Sequence, residues 1–236
     1  MAIPSGTRVW LPVSSGPGKG LWLHLDSRFE IVYASGEYER RIEALLVSRL
    51  CPGSVFYDVG AHIGLFSLLA ARIVGESGSV FAFEADPENV ERIKEHASRN
   101  GLDHICIVPC AVWSSPGRLF FKRVATDSSH NQGAVATDAS MYNENTIEVE
   151  AVSLDAFVQE HRPPTLIKID VEGGEANVLD GVKETFKSNA PLLICEIHNQ
   201  RTCNDVTRWL NSNSYVFEWI EECPDFPRHL WAKRGL

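Results

Sequence analysis

No stretch of this 236-residue chain holds the roughly 18–20 consecutive apolar residues that a membrane-spanning helix requires. The N-terminal run MAIPSGTRVWLP has neither the basic n-region nor the apolar h-region of a secretory signal, so the cytoplasm is the expected location. Basic charge is also in deficit: 22 Lys and Arg stand against 31 Asp and Glu, a net charge of −9. Phosphate backbones are bound by basic faces, and none is visible, so a nucleic-acid partner is not expected. Six cysteines are present, but none forms a CxxC pair or stands at finger-like spacing from histidines. Cys106, Cys110 and Cys195 lie in apolar runs, where cysteine behaves as a small hydrophobe. A disulfide framework or structural zinc is therefore not expected, and no internal repeat is present.

What is there is an ordinary globular composition, 44% hydrophobic and 22% charged, at a length that suits one α/β domain. Residues 1–35 alternate apolar and polar positions around a Gly/Pro/Ser turn (RVWLPV, SSGPGKG, LWLHL, FEIVYA) and read as an N-terminal appendage of short antiparallel strands. From Tyr38 the period becomes helical, with Tyr38, Ile42, Leu45 and Leu46 on one face and Pro52-Gly53 as the stop. Residues 36–236 then form the main domain, an alternation of buried strands and helices. SVFYDVG, SVFAFEA, ICIVP, LIKID and PLLICEIH read as strands. The helix after SVFAFEA carries Asp86 as N-cap, Pro87 at the first position and Asn100-Gly101 as a stop. RLFFK is a peripheral strand, TIEVEAV and SLDAFVQEH are strand and helix, and ANVLDGVKETF is one helix. YVFEWI and HLWAK close the chain as an antiparallel hairpin. The fold class is a doubly wound, mainly parallel α/β sheet, whose ligands bind beyond the carboxyl ends of the strands where strand order reverses. Residues 123–145 form a polar loop that is long for a compact domain, and its His130 and Tyr142 are candidate acceptor contacts.

The residues after the first two core strands carry a cofactor signal. Asp58-Val59-Gly60-Ala61-His62-Ile63-Gly64 places two glycines in a strand-to-helix turn, where backbone can approach a ligand closely. Glu84 ends the next strand about 20 residues later, where an acid accepts hydrogen bonds from ribose hydroxyls. The bland alternative, that Asp58 and Glu84 are capping or surface acids, fits this ordered series less well. A dinucleotide fold requires GxGxxG, and here the pattern is DxGxxxG. Asp58 would repel a pyrophosphate and attract an ammonium, so an amino-acid nucleoside fits better than NAD.

Beyond single motifs, DVGAHIGLFSLLAA, FEADPENVERIKEHASRNG, PCAVWSSPGRLFF, SLDAF, LIKIDVEGGE and LLICEIH, in this order, resemble the FkbM family of class I methyltransferases. GEYERRIEALL, before the first core strand, is similar to the segment preceding that family's sheet. The resemblance covers about Gly36 to His198. It implies a Rossmann-like methyltransferase sheet and S-adenosylmethionine held by Asp58, Gly60, Ala61, His62 and Gly64. It also implies that Glu84 grips the ribose, with Ala85 and Ala111 beside the adenine. His62 stands where the family usually has Asn, and Cys110 where related enzymes often have an adenine-binding Asp or Asn.

At the reacting end, Lys168 and Asp170 share one strand face, and a lysine buried there requires a carboxylate partner. Asp170 and Glu172 follow one strand, and Glu196 and His198 share a face of the next. These four are the candidate catalytic residues. Three readings stand side by side: Asp170 or His198 as general base, a divalent metal that lowers the acceptor's pKa, and positioning alone. A metal is admissible but not expected, and no ligand set is assigned. The family resemblance implies O-methylation of a hydroxyl on a small molecule, a sugar or natural product. N-methylation of an amine is the alternative within the fold; an NAD-dependent oxidoreductase or a non-catalytic binding module lies outside it. Oligomeric state is left open.

Overall fold

The computed structural model describes residues 7–123, 133–136 and 143–235. An antiparallel hairpin, β1 (Arg8–Pro12) and β2 (Trp22–Asp26), precedes two helices, α1 (Ile31–Ser35) and α2 (Arg40–Arg49). The α/β alternation begins with β3 (Val55–Val59), α3 (Leu65–Val74), β4 (Ser79–Phe83), α4 (Pro87–Asn100) and β5 (Ile105–Val108). Short strands follow: β6 (Ala111–Val112), β7 (Gly117–Lys122), β8 (Ala134–Val135) and β9 (Thr146–Val152). Then come α5 (Leu154–Phe157), β10 (Leu166–Ile169), α6 (Glu175–Asp180), α7 (Lys183–Asn189), β11 (Leu192–Ile197) and α8 (Gln200–Ser212). β12 (Tyr215–Trp219) and β13 (Arg228–Arg234) end the chain.

The main sheet has seven strands in the order β12-β13-β11-β10-β3-β4-β5. The five from β11 to β5 run parallel, and β13 pairs antiparallel with both β11 and β12. This is the expected doubly wound sheet with its C-terminal hairpin. Every residue of β3 is buried, and successive side chains enter opposite cores. Phe56 packs with Leu68 and Ile93 on one face, while Val55, Tyr57 and Val59 pack with Val178, Phe186 and Leu210 on the other. From β3 the chain winds outward through β4 and β5, then returns to β10 on the opposite side of β3. The strand order therefore reverses between β3 and β10, which is where such sheets bind ligands.

The predicted punctuation of α4 is present: the Asp86 side chain accepts from Glu88 N–H, Pro87 opens the helix, and Gly101 closes it in the left-handed region. Two local expectations are corrected. Phe29–Ala34 was expected to be extended, but Ile31–Ser35 is helical. The Glu30 carboxylate pairs with buried Arg92 at 2.7 Å and accepts Asp26 N–H at 2.8 Å, which turns the chain at the end of β2. Tertiary contact thus overrides the β-branched composition. ANVLDGVKETF is not one helix but two, α6 and α7, broken at Gly181. A Cβ there would lie 2.3 Å from the Trp113 carbonyl oxygen, so the break lets two backbones meet.

TIEVEAV joins a separate four-stranded sheet, ordered β6-β9-β7-β8, that stands beside the main one. The N-terminal hairpin is tied inward: Leu23 and Leu25 share a core with Phe56 and Leu68, and Trp22 and His24 donate backbone N–H groups to Asn100 and His96 of α4. Among the described residues, no helix is long and apolar enough to cross a membrane.

Candidate functional site

A cleft of about 860 Å³ opens over the β3/β10 switch point. Gly60 sits at its base with φ +82°, and a Cβ there would fall 1.8 Å from the Asp170 carbonyl oxygen. Only glycine allows the tips of β3 and β10 to approach this closely. Gly60 and Ala61 N–H both donate to Phe83 O at 3.0 Å, locking the turn onto β4. Gly64, at φ +84°, lies against Ile93, where a Cβ would meet both γ-carbons at 3.1 Å. His62 occupies the left-handed region at φ +52°, a conformation that costs a non-glycine residue about 1 kcal/mol or more. Its N–H is held at 2.8 Å by Glu84 Oε2, which keeps it there.

Glu84 is therefore a fixed acid. Its two oxygens accept from His62 N–H and Asp86 N–H, both at 2.8 Å, and burial pushes its pKa up to about 7. It faces the cleft together with Asn89, whose Oδ1 is buried without a hydrogen-bond partner. Two adjacent acceptors with spare lone pairs fit the donors of a ribose. Ala61, His62, Ala85 and Ala111 also line the cleft, while Asp58 and Gly64 lie outside its lining. Asp58 is fully buried: Oδ2 accepts from Ser67 Oγ at 2.6 Å, and Oδ1 has no hydrogen-bond partner. Burial raises its pKa to about 6.

On the other side of Gly60, the tips of β10 and β11 bring all four predicted reacting-end residues together. Lys168 is buried 2.8 Å from Asp170 Oδ2 and 5.0 Å from the centre of the Phe66 ring. Burial opposes its charge, but Asp170 and Asp58 outweigh that and hold it protonated. Burial likewise opposes the charge on Asp170, yet Lys168 keeps its carboxyl well below the usual range. His198 is clamped by carboxylates: Nδ1 lies 2.9 Å from Glu175 Oε1, and Nε2 lies 3.3 Å from Glu172, 3.6 Å from Asp170 and 3.9 Å from Glu196. Burial pulls this imidazole down, but hydrogen bonds to Glu172 and Glu175 carry it up to about 11. Burial and the Asp170 charge push Glu196 up to about 8. Asp170 and Glu172 face the cleft, whereas Glu196 and His198 stand behind them, outside its lining. Ligand atoms of Asp170, Glu196 and His198 lie within 4.8 Å of one another, and so do those of Glu39, Glu196 and His229.

Residues 58–217 match the family model described as a Methyltransferase FkbM domain. The chain belongs to the FkbM methyltransferase family. Members are S-adenosylmethionine-dependent methyltransferases of class I, and the acids and glycines above occupy that fold's ligand edge. The chain is 30% identical over 177 residues to the hexuronic acid methyltransferase AglP of Haloferax volcanii, covering 73% of this chain and 68% of that protein. It is 28% identical over 176 residues to the 31-O-demethyl-FK506 methyltransferase FkbM of Streptomyces tacrolimicus, covering 64% and 67%. The solved FkbM methyltransferase of Methylobacillus flagellatus superposes with a TM-score of 0.59 at 20% identity, over 83% of this chain and 46% of that one. The present chain thus spans about half the length of that solved relative.

Several cleft residues of this FkbM methyltransferase were not singled out for the site from sequence. Tyr33 and Tyr38 form part of the wall, with ring centres 4.5 Å apart and Tyr33 5.9 Å from His62. Tyr38 was read only as a helix-face residue. Trp113, Phe121 and Val135 bring the side sheet to the opposite wall. Glu175 closes the LIKIDVEGGE motif and Glu39 lies in the GEYERRIEALL segment, yet the motifs give neither a site role, and His229 lies outside them; all three stand behind the cleft lining. His130 and Tyr142 lie outside the described residues.

Proposed function

We propose that this protein transfers the methyl group of S-adenosylmethionine to a hydroxyl of a small molecule, with Asp170 as the proton acceptor. The observation that carries this reading is that Glu84 and ionised Asp170 face one cleft from opposite sides of the Gly60 turn. When bound, the cofactor supplies an activated sulfonium methyl. Glu84 and Asn89 are assigned to its ribose, the Gly60–His62 backbone to its amino-acid portion, and Ala85 and Ala111 to its adenine. The orphaned Oδ1 of Asp58 beneath the turn adds negative charge where an ammonium would lie.

The acceptor hydroxyl is assigned to the space between Asp170 and Glu172. Lys168 keeps Asp170 anionic, so its carboxylate can orient the hydroxyl and take its proton as the new bond forms. His198, held by Glu175 and Glu172, is assigned a positioning role, keeping the Glu172 carboxylate at the rim. Tyr33, Tyr38, Phe66 and Trp113 give this cleft aromatic walls. An acidic chain with a cleft of this size suits a small-molecule acceptor better than a nucleic acid. The names of two relatives, a hexuronic acid methyltransferase and a 31-O-demethyl-FK506 methyltransferase, support a small-molecule acceptor, and the second supports oxygen as the acceptor atom.

The test is to incubate the purified protein with S-adenosylmethionine and a panel of uronic acids, sugars and polyol natural products. Release of S-adenosylhomocysteine is followed with matched amine analogues alongside. Turnover on hydroxyl compounds, lowered about 10²–10⁴-fold in Asp170→Asn with cofactor affinity retained, supports the assignment. Turnover confined to amines, or an Asp170→Asn variant at full rate, refutes it.

A further inference from the structure

A second group of ionisable side chains sits behind the cleft wall, on elements that the methyl-transfer reading does not use. Glu39 immediately precedes α2, with its backbone in the left-handed region at φ +44°. Glu196 lies on β11, and His229 is its direct cross-strand partner on β13. His229 is only 6% exposed. Its Nδ1 is 2.9 Å from Glu221 Oε1, and the same glutamate's Oε2 accepts the His229 backbone N–H at 2.6 Å. That leaves Nε2 as the outward-pointing atom of the ring. It is directed at Glu39 Oε2, 3.4 Å away, and Glu196 Oε2, 3.7 Å away, yet it makes no hydrogen bond to either. Glu39 Oε2 is likewise buried without a hydrogen-bond partner.

From this arrangement we infer that Glu39, Glu196 and His229 form a binding site for one divalent transition-metal ion. Four features carry the inference. The first is spacing: an imidazolium–carboxylate pair closes to about 2.7–2.9 Å, whereas donors arranged tetrahedrally at about 2.0–2.1 Å from zinc stand roughly 3.3–3.4 Å apart. The observed separations of 3.4 and 3.7 Å fall near the second value. The second is the carboxylate on the far ring nitrogen. Metal-binding histidines usually donate their other N–H to a carboxylate, which sets the tautomer and aims the lone pair, and Glu221 is so placed. The third is charge: Glu39, Glu196 and Glu221 surround one imidazole, and a dication bound there takes the place of the protons these groups otherwise hold. The fourth is convergence of three elements, with Glu39 held in a strained backbone conformation that delivers its carboxylate to the other two. One nitrogen and two oxygens suit first-row transition ions better than Mg²⁺, which favours all-oxygen octahedra. Three protein ligands leave a coordination position for water. The site stands independently of the methyl-transfer proposal, and its test does not involve turnover.

Untagged protein is stripped with chelator and titrated calorimetrically with ZnCl₂, MnCl₂ and MgCl₂, with bound metal counted by elemental analysis. One Zn²⁺ or Mn²⁺ per chain is expected, with Mg²⁺ at least tenfold weaker. Glu39→Gln and His229→Asn should each weaken binding at least tenfold, and Glu221→Gln about 10–100-fold by freeing the ring. His198→Asn should change affinity less than threefold, because His198 belongs only to the other cluster and its Nε2 stands 3.9 Å from Glu196. Folding of each variant is checked by circular dichroism. If His229→Asn does not fold, Glu39→Gln, whose side chain is 16% exposed, carries the test. Absence of stoichiometric Zn²⁺ and Mn²⁺ binding overturns the inference and leaves His229 as an imidazolium among carboxylates. Binding that survives in Glu39→Gln, or that vanishes in His198→Asn, overturns it by locating the ion elsewhere.

Discussion

His96 ties the N-terminal hairpin to the glycine turn, and its protonation should uncouple them. The ring is fully buried on α4: Nε2 accepts the His24 N–H at 2.8 Å, and Nδ1 lies 2.8 Å from the Ile63 carbonyl oxygen. These partners demand a neutral ring protonated at Nδ1, because a second proton on Nε2 would point at a donor. Burial pulls the pKa down to about 4, from an ordinary value of 6.5. The native state therefore binds fewer protons than the unfolded chain. The stability this contributes is present above pH 6.5 and is lost as pH falls from 6.5 towards 4. A shift of this size corresponds to about 3 kcal/mol in full, of which about 2 kcal/mol is lost between pH 7 and pH 5. Urea unfolding of the wild type and His96→Asn at pH steps from 7 to 5 isolates the effect, since other titrations are common to both. The wild-type advantage should shrink by about 2 kcal/mol across that range. An advantage that stays constant within about 0.5 kcal/mol would show that His96 does not fold as a neutral bridge.

Three further outcomes follow from the geometry. Glu84→Gln keeps the shape but turns one side-chain acceptor into a donor facing a backbone N–H; S-adenosylmethionine affinity measured by calorimetry should fall at least tenfold, and the unpaired N–H should cost about 1–3 kcal/mol in urea unfolding. Gly60→Ala should lower the melting temperature sharply and abolish cofactor binding, because the added carbon would sit 1.8 Å from Asp170 O at a φ of +82°; a folded variant with normal affinity would refute the close approach. Leu23→Ala, on the N-terminal hairpin, should cost about 2–5 kcal/mol in urea unfolding. A cost below 1 kcal/mol would mean that the hairpin is an appendage rather than part of the main core.

Local chemistry wrote much of this molecule in readable form. The β3 run VFYDV, the glycines that follow it, the Asp86-Pro87 cap and the Gly101 stop each depend on neighbours a few residues away. So does the placing of Glu84 at the end of β4, since a strand's length and direction decide where its last residue emerges. That Lys168 needs a carboxylate partner was legible for the same reason, since a cation buried in a strand requires one; that Asp170, and not Asp58 or Glu196, stands 2.8 Å from it was decided by the packed sheet.

Tertiary structure decided what depended on distant partners. Ile31–Ser35 has a strand-like composition, yet the Glu30–Arg92 pair just before it turns the chain into a helix. Gly181 interrupts a sequence that reads as one helix because Trp113, from another sheet, passes too close for any side chain. Glu175 reaches His198, and Glu39 and Glu221 reach His229, across spans that no periodicity encodes. Hydrogen bonds between neighbours are set by backbone geometry that the local sequence controls. Contacts across the sheet exist only once β10, β11 and β13 are laid side by side, and that order is a property of the packed chain.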